Sequence, residues 1–510
     1  MTSTSGSGRL AKNTLLNLIG LGTPVVLAFL SIPILIKGIG TDRFGVLSIA
    51  WMVLGYFSLF DFGIGRALTK SVAEYLGDQR HAEIPVLVWT GTLIMLLLGV
   101  IGGVVVALTA QPMVDHWLKI PAHLRAEALP SFYLLALSIP VVISTAAFRG
   151  VLEAYQRFDI TNAIRIPMGA ISYLGPLAVL PFSNSLYHIV LFLVVGRTLT
   201  WAVHVYFCLR AVPSLRHNIA YDRRLIKPLL VFGSWMTVSN VISPLMTYLD
   251  RFFIGAILSV SAVAYYTTPY EAVMKLTIIP DALSAVLFPA FATLYVQNRA
   301  NAAQVYERGM KALFALLFPL VLLVVVFGQD LLSFWIGADF AGKCYRVAQL
   351  LAIGVLVNSL ARVPFLAIQS AGRPDLTAKV HLIEFPLFIG VLYLLTKEYG
   401  IAGAASAWLL RASVDALVLF VISRRYLPVF ANALTCLLPL LAAGVVFLIG
   451  AAVAGLLLKL VFYALVIMAF GCYFWTNLIG EEDRLFILRA YSRLRQRNKE
   501  LHSSSANSVG

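Results

Sequence analysis

IPVLVWTGTLIMLLLGVIGGVVVALTA, residues 84–110, contains no charged side chain and shows no alternation of apolar and polar positions. At 1.5 Å per residue a helix of this length rises about 40 Å, enough to cross the roughly 30 Å hydrocarbon layer of a bilayer. A strand of a membrane barrel would need period-two alternation, so the run is read as a membrane-spanning helix. Runs of the same kind recur at 15–36, 44–65, 129–148, 160–180 and 187–209. They continue at 229–249, 262–291, 313–327, 347–368, 376–395, 401–422, 434–456 and 460–478. The expected fold is all-α and polytopic, with about 14 transmembrane helices.

Composition agrees. Of 510 residues, 60% are hydrophobic and 12% charged, and the mean hydropathy is +0.87, whereas soluble domains carry roughly 25% charged residues. The net charge of +15, from 39 basic and 24 acidic residues, sits in the connections between apolar runs. That placement argues against a nucleic-acid partner and for positive-inside topology. Roughly 26 Lys and Arg fall on the side of the N-terminus and roughly nine on the other, with Arg197, Lys275, Arg362 and Arg411 among those inside spans. Both termini are therefore expected to be cytoplasmic. The apolar run after MTSTSGSGRLAKN is span length and lacks a small-residue cleavage site, so the first helix is expected to be retained. The tail EEDRLFILRAYSRLRQRNKEL sets Leu485, Leu488 and Tyr491 beside Arg489, Arg493 and Arg497. It is either a helix lying on membrane lipids or a solvated one. Cys208, Cys344, Cys436 and Cys472 are scattered, without a CxxC, and indicate neither a disulfide framework nor a metal site.

The chain repeats itself. Pro24 matches Pro244, Trp117 matches Trp335, Arg197 matches Arg411, and the triplet Arg157, Asp159, Thr161 matches Arg373, Asp375, Thr377. The offsets are 220, 218, 214 and 216, the slow drift that short indels leave. An even number of spans separates the copies, so the repeat is parallel, with a pseudo-twofold axis along the membrane normal and a cleft between two six-helix lobes. The expected division is a segment 1–14, an N-lobe 15–212, a linking loop 213–228, a C-lobe 229–425, two further spans within 426–479, and a basic tail 480–510.

No GxxxxGK[ST], HExxH or nucleophile elbow is present, so neither direct ATP use nor a cofactor is expected. Gly63 and Gly65 lie inside an apolar span and lack the context of a dinucleotide site, while Gly99 and Gly103 have the spacing of a helix contact. The chemistry-bearing candidates are ionisable residues at membrane depth, each costing about 2.5 to 3.5 kcal/mol on insertion scales. Arg411 with Asp415, Glu271 with Lys275, and Arg149 with Glu153 are spaced i to i+4, so each pair can be structural. Arg197 and Arg362 have no acidic residue within two turns of their own helices, so another helix or an anionic ligand must meet them. Asp61 and Asp281 are candidate proton carriers or ion-pair partners of Arg66 or Lys275. Pro280 is a candidate hinge in span eight.

The segments GTDRFGVLSIAWMVLGYFSLFDFGIGRALTKSVAEYLG (40–77) and YLDRFFIGAILSVSAVAYYTTPYEAVMKL (248–276) resemble the corresponding regions of bacterial oligosaccharide flippases. These are the polysaccharide-biosynthesis branch of the multidrug/oligosaccharidyl-lipid/polysaccharide exporter superfamily. The resemblance implies two six-helix lobes in a V, a central cationic cavity, alternating access, and two C-terminal helices associated with lipid-bearing substrates. It implies a polyprenyl-diphosphate-linked oligosaccharide as substrate, moved to the periplasmic leaflet of a bacterial inner membrane. H+ or Na+ coupling, a monomer, and contact with polysaccharide polymerase machinery belong to the same expectation. The diphosphate is expected to meet Arg197, Arg362, Arg411, Lys275 and Arg66. A multidrug exporter of the same fold is the alternative, and it should favour acids and aromatics over unpaired arginines. An enzyme on the same lipid-linked substrate would need a surface outside the bilayer. The longest far-side loop, 111–128, lacks paired carboxylates for such a role.

Overall fold

The structure is a computed structural model that describes residues 4–59, 63–426 and 434–478. Every regular element among them is helical. In chain order they are α1 (Thr4–Leu59), α2 (Ile64–Gly77), α3 (Ile84–Pro112), α4 (Ala122–Ala154), α5 (Phe158–Val179), α6 (Leu186–Ala211), α7 (Ser214–His217) and α8 (Ile226–Ile257). There follow α9 (Val260–Val273), α10 (Ile278–Gln297), α11 (Arg299–Ile336), α12 (Ala338–Ser370), α13 (Pro374–Ser423), α14 (Leu434–Ala452) and α15 (Leu456–Tyr473). Among the described residues, helix occupies most of each of the fourteen expected spans. Among the described residues, seven helical segments are long and apolar enough to cross a membrane by length and composition alone.

Several boundaries differ from the expectation, each for a local reason. Spans one and two are two arms of α1, bent at Gly40 (φ 83°), and spans eleven and twelve are the arms of α13, bent at Gly400 (φ 61°). Only glycine takes these left-handed angles without strain, so each hairpin turns in a single residue. Span two breaks again at Gly63 (φ 69°), which is the cap of α2 and not the interior of a helix. Span eight is split by a 3-10 turn, Met274–Thr277, so the tightened segment precedes Pro280, which lies in the first turn of α10. α1 begins at Thr4, so helix already runs through most of the segment 1–14.

The repeat is visible in backbone detail. Where α4 ends, the amides of Tyr155, Gln156 and Arg157 donate to the carbonyls of Val151, Glu153 and Leu152. Where α12 ends, those of Ala371, Gly372 and Arg373 donate to Ala367, Gln369 and Ile368, the same pattern shifted by 216. Gln156 (φ 57°) and Gly372 (φ 78°) occupy the same left-handed position. Arg157 then grips Asp159 with two bonds of 3.0 Å, and Arg373 grips Asp375 with bonds of 2.9 and 3.1 Å. The tryptophan match carries no shared contact. Trp335 stacks on Phe29 and donates to its carbonyl, while Trp117 is exposed.

The lobes share their most extensive contact at one end, and toward the opposite end α8 also touches α2 and α3. We call the side from which the Lys- and Arg-rich loops emerge the basic face, and the other the far face. One apolar cluster joins the far half of the N-lobe, with Ile32, Phe44 and Leu118, to the C-lobe, where it runs from Val260 and Tyr266 to Tyr306 and Val363. Toward the basic face the N-lobe has its own core, with Leu68, Val88, Ile143 and Val151, while a small separate group in the C-lobe holds Ala361, Ile368 and Leu419. The far-face seam is tight. The Lys119 amide donates to the Gly255 carbonyl at 3.0 Å, Ser261 bonds Asp42, and Gly45 lies against the Val260 carbonyl so closely that a Cβ there would collide. Gly103 likewise lets α3 approach the Ala136 carbonyl of α4, as its spacing with Gly99 predicts. Spans thirteen and fourteen dock on α11 through Phe447 and Phe470 against Phe318, and Tyr463 against Phe327.

Candidate functional site

The ionisable residues at membrane depth fall into three groups. The first lies between α8 and α9, at the junction with the N-lobe. Arg251 has a side chain only 3% exposed and lies 3.9 Å from Asp250 and 3.8 Å from Glu271. It also stacks over the Tyr270 ring at 4.1 Å. Tyr266 donates to Asp250 at 2.6 Å, and Lys275 meets Glu271 at 3.4 Å, as the i to i+4 spacing predicts. Tyr173 of α5 reaches the same Glu271 at 3.4 Å and so ties the two lobes. Sequence reasoning missed Asp250 and Arg251, although both stand in the quoted segment 248–276. Adjacent residues on a helix point in different directions, so their spacing gave no reason to connect them.

In the second group another helix meets Arg362, one of the two outcomes its sequence allows. Arg362 of α12 is not left without an acid, because Asp281 of α10 meets it at 3.1 Å, with side chains 41% and 56% exposed. Asp281 is therefore the partner of Arg362 and not of Lys275 or Arg66. The helices carrying the pair come together only in the folded C-lobe, which is why reading single helices could not find it.

The third group lies between the arms of α13. Arg411 faces Glu384 of the opposite arm at 3.6 Å, where the i to i+4 spacing had suggested Asp415, and Asp415 instead faces His381 at 3.8 Å. Both distances exceed a hydrogen bond. Possible ligand atoms of His381, Glu384 and Asp415 lie within 4.8 Å of one another, but a divalent ion there would sit beside the Arg411 guanidinium.

The matching hairpin of the N-lobe, α5 with α6, is built differently. By the offsets of 216 and 214, His381, Glu384, Arg411 and Asp415 correspond to Arg165, Met168, Arg197 and Trp201. The hairpin is held by Thr200 bonding Met168 at 2.8 Å and by Gly196 lying against Ile171. No carboxylate is present at these positions. Among the described residues Arg197, Arg165 and Arg66 make no hydrogen bond or ion pair. Arg66 lies on the exposed side of α2, whose other side buries Ile64, Ala67, Leu68 and Val72. Asp61 lies outside the described residues. A further groove, with Gln111, Asp115, His116 and Tyr133, lies at the far end of α3 and α4, away from all three groups.

Two helical lobes related by a parallel repeat, with polar groups held at membrane depth between them, have the architecture of a membrane carrier. The chain belongs to the polysaccharide biosynthesis protein family, whose profile matches residues 10–295. It is 30% identical over 424 residues to a protein named as a candidate O-antigen transporter of Shigella flexneri, covering 82% of this chain and 99% of that one. Among solved structures, it is similar to an inward-facing multidrug resistance MATE family transporter of the MOP superfamily. The TM-score is 0.70 at 13% identity, over 80% of this chain and 97% of that one. It is also similar to the lipid II flippase MurJ in an inward closed conformation, with TM-score 0.69 at 12% identity, over 92% and 100%. At these identities the structural likenesses establish the fold alone.

Proposed function

We propose that the protein is a flippase that moves a polyprenyl-diphosphate-linked oligosaccharide from the cytoplasmic to the periplasmic leaflet of a bacterial inner membrane, for surface polysaccharide synthesis. The basic face, in this reading, is cytoplasmic, and both termini lie there. The more extensive core shared by the lobes at the far face supports a cleft that opens to the basic face. The carrier acts as a monomer driven by a gradient of H+ or Na+, and hands its product to polymerase machinery without catalysing a reaction.

One observation carries the reading. Among the described residues the C-lobe cations Arg251, Lys275, Arg362 and Arg411 have acidic partners, whereas Arg66, Arg165 and Arg197 of the N-lobe have none. Uncompensated positive charge at membrane depth is costly unless an anion meets it, and guanidinium forks match phosphate oxygens two bonds at a time. We therefore assign the diphosphate to Arg197 with Arg165 and Arg66. Arg362, Arg411 and Lys275 contribute only by exchanging an acidic partner for the ligand. A cationic drug would be repelled by such a wall, which weighs against the multidrug alternative. The test is flipping of a lipid-diphosphate glycan by the full chain in proteoliposomes. The reading expects transfer that fails when the diphosphate is replaced by a neutral headgroup, and indifference to that replacement overturns it.

A further inference from the structure

Inside the α13 hairpin the structure gathers more acid than it neutralises. His381 and Glu384 stand one turn apart on the first arm, and Arg411 and Asp415 one turn apart on the second. The Glu384 and Asp415 side chains are each only 8% exposed, and Arg411 11%. Both Glu384 oxygens, Asp415 Oδ1, His381 Nδ1 and Arg411 Nε are buried without a hydrogen-bond partner. Native interiors rarely leave so many adjoining polar atoms unsatisfied, because each costs about 1 to 3 kcal/mol.

Among the described residues the surroundings supply nothing to fill the gap. Phe365 of α12 stacks on His381, and the Phe388 ring lies 5.8 Å from the Arg411 guanidinium. From α8 the charged group within electrostatic reach of Arg411 is Asp250, itself held by Arg251 and Tyr266. On α12 Arg362 is engaged by Asp281. The cluster therefore holds two carboxylates against one guanidinium, an excess of one negative charge in a place water barely reaches. A divalent ion would overshoot to a net positive charge. A single proton makes the group neutral and turns one carboxylate into a donor for the orphaned oxygens.

We propose that Glu384 and Asp415, with Arg411 and His381, form a proton-binding site in which one proton, taken up from water and returned to it, is shared between the two carboxyl groups. Without the proton, Glu384 draws Arg411 and holds the two arms together. With it, Glu384 no longer attracts the guanidinium, and Arg411 is released toward Asp415 or toward an anion. The site stands on this geometry alone. Its use to drive glycan movement rests on the flippase reading above.

The test uses the full chain in lipid nanodiscs, without substrate. Infrared difference spectra between alkaline and acidic buffer should show a protonated-carboxyl band in the wild type. The contribution of this site to the band should be lost in Glu384→Gln, in Asp415→Asn and in the double variant alike, because either change leaves one carboxylate balanced by Arg411, and proton uptake measured with a soluble dye should fall by one proton per chain. Monodispersity on gel filtration identifies any variant that fails to fold, and either single variant suffices. A band unchanged in both single variants overturns the proposal. A band abolished in the wild type by Na+ but not by choline, at one pH, also overturns it and gives the site to Na+. Proton uptake by a chain that flips no glycan would leave this site standing and remove the flippase reading.

Discussion

The α5–α6 hairpin and the two arms of α13 descend from one repeated unit, yet they solve the problem of an arginine at membrane depth in opposite ways. In the C-lobe Arg411 is over-compensated by Glu384 and Asp415. In the N-lobe Met168 and Trp201 occupy the positions that correspond to Glu384 and Asp415, and Arg165 stands where His381 stands. The helices, the cap geometry and the arginine itself are shared, and the change from methionine to glutamate alters what each hairpin attracts. One is left short of an anion and the other short of a cation. A carrier that couples a phosphate-bearing lipid to an ion gradient needs both, and duplication followed by a few substitutions supplies them on separate lobes.

The strongest way to break this comparison is to remove each arginine in turn. Arg411→Ala strands two buried carboxylates, so thermal unfolding in detergent should show a loss of about 3 to 5 kcal/mol. Arg197→Ala removes a charge that has no protein partner, so it should leave stability within about 1 kcal/mol of the wild type. Equal losses would mean that the hairpins are not opposites.

Binding should show the reverse. A charged hydrogen bond is worth about 1.5 to 3 kcal/mol, so Arg197→Ala should weaken a lipid-diphosphate glycan roughly ten- to a hundredfold, with Arg197→Lys in between. Met168→Glu sharpens the point, because it writes the C-lobe arrangement into the N-lobe. It should abolish binding about as fully as Arg197→Ala while every arginine is kept, and isothermal titration with both variants would decide it.

Smaller effects follow outward from the hairpins. Asp281→Asn releases Arg362 from a half-exposed pair and should shift unfolding by no more than about 1 kcal/mol. The smallest change lies in the repeated turns at the basic face. The Arg373 guanidinium holds the Asp375 carboxyl down at about 2, and Arg157 lowers Asp159 in the same way. A carboxyl depressed on folding contributes above its unfolded value near pH 4, and that contribution is lost as pH falls through about 2. Amide exchange at Leu376 should therefore quicken in that window, and Asp375→Asn should remove the dependence.

Helix positions, the parallel repeat and the unmatched Arg197 were legible in the sequence because each depends on residues near one another along the chain. An apolar run declares its own burial, and the R-x-D-x-T triplet closes its own ion pair. What stayed hidden needed two helices at once. Asp281 and Arg362 lie on different helices, and Glu384 meets Arg411 only after Gly400 folds the arms together. His381 and Glu384 were open to finding, since the repeat aligns them with Arg165 and Met168 once the offset of 216 is applied to every position between its anchors. The breaks at Gly40 and Gly63 were hidden for another reason, since glycine inside an apolar run reads equally as packing or as a turn.

The missing side chain at Gly45 gives the far-face seal an unusual property. The seal closes where the backbone of α1 reaches the Val260 carbonyl, so a methyl group placed there would clash in this arrangement and in no arrangement where the far ends have parted. Such a change acts on the balance between conformers and not on the fold of either lobe. Reversing a population from 1:99 to 99:1 takes about 5.5 kcal/mol, within the range that a steric collision with backbone can supply. One carbon atom therefore serves as a latch, and Gly45→Ala offers a route to trapping the opposite state of the carrier for imaging.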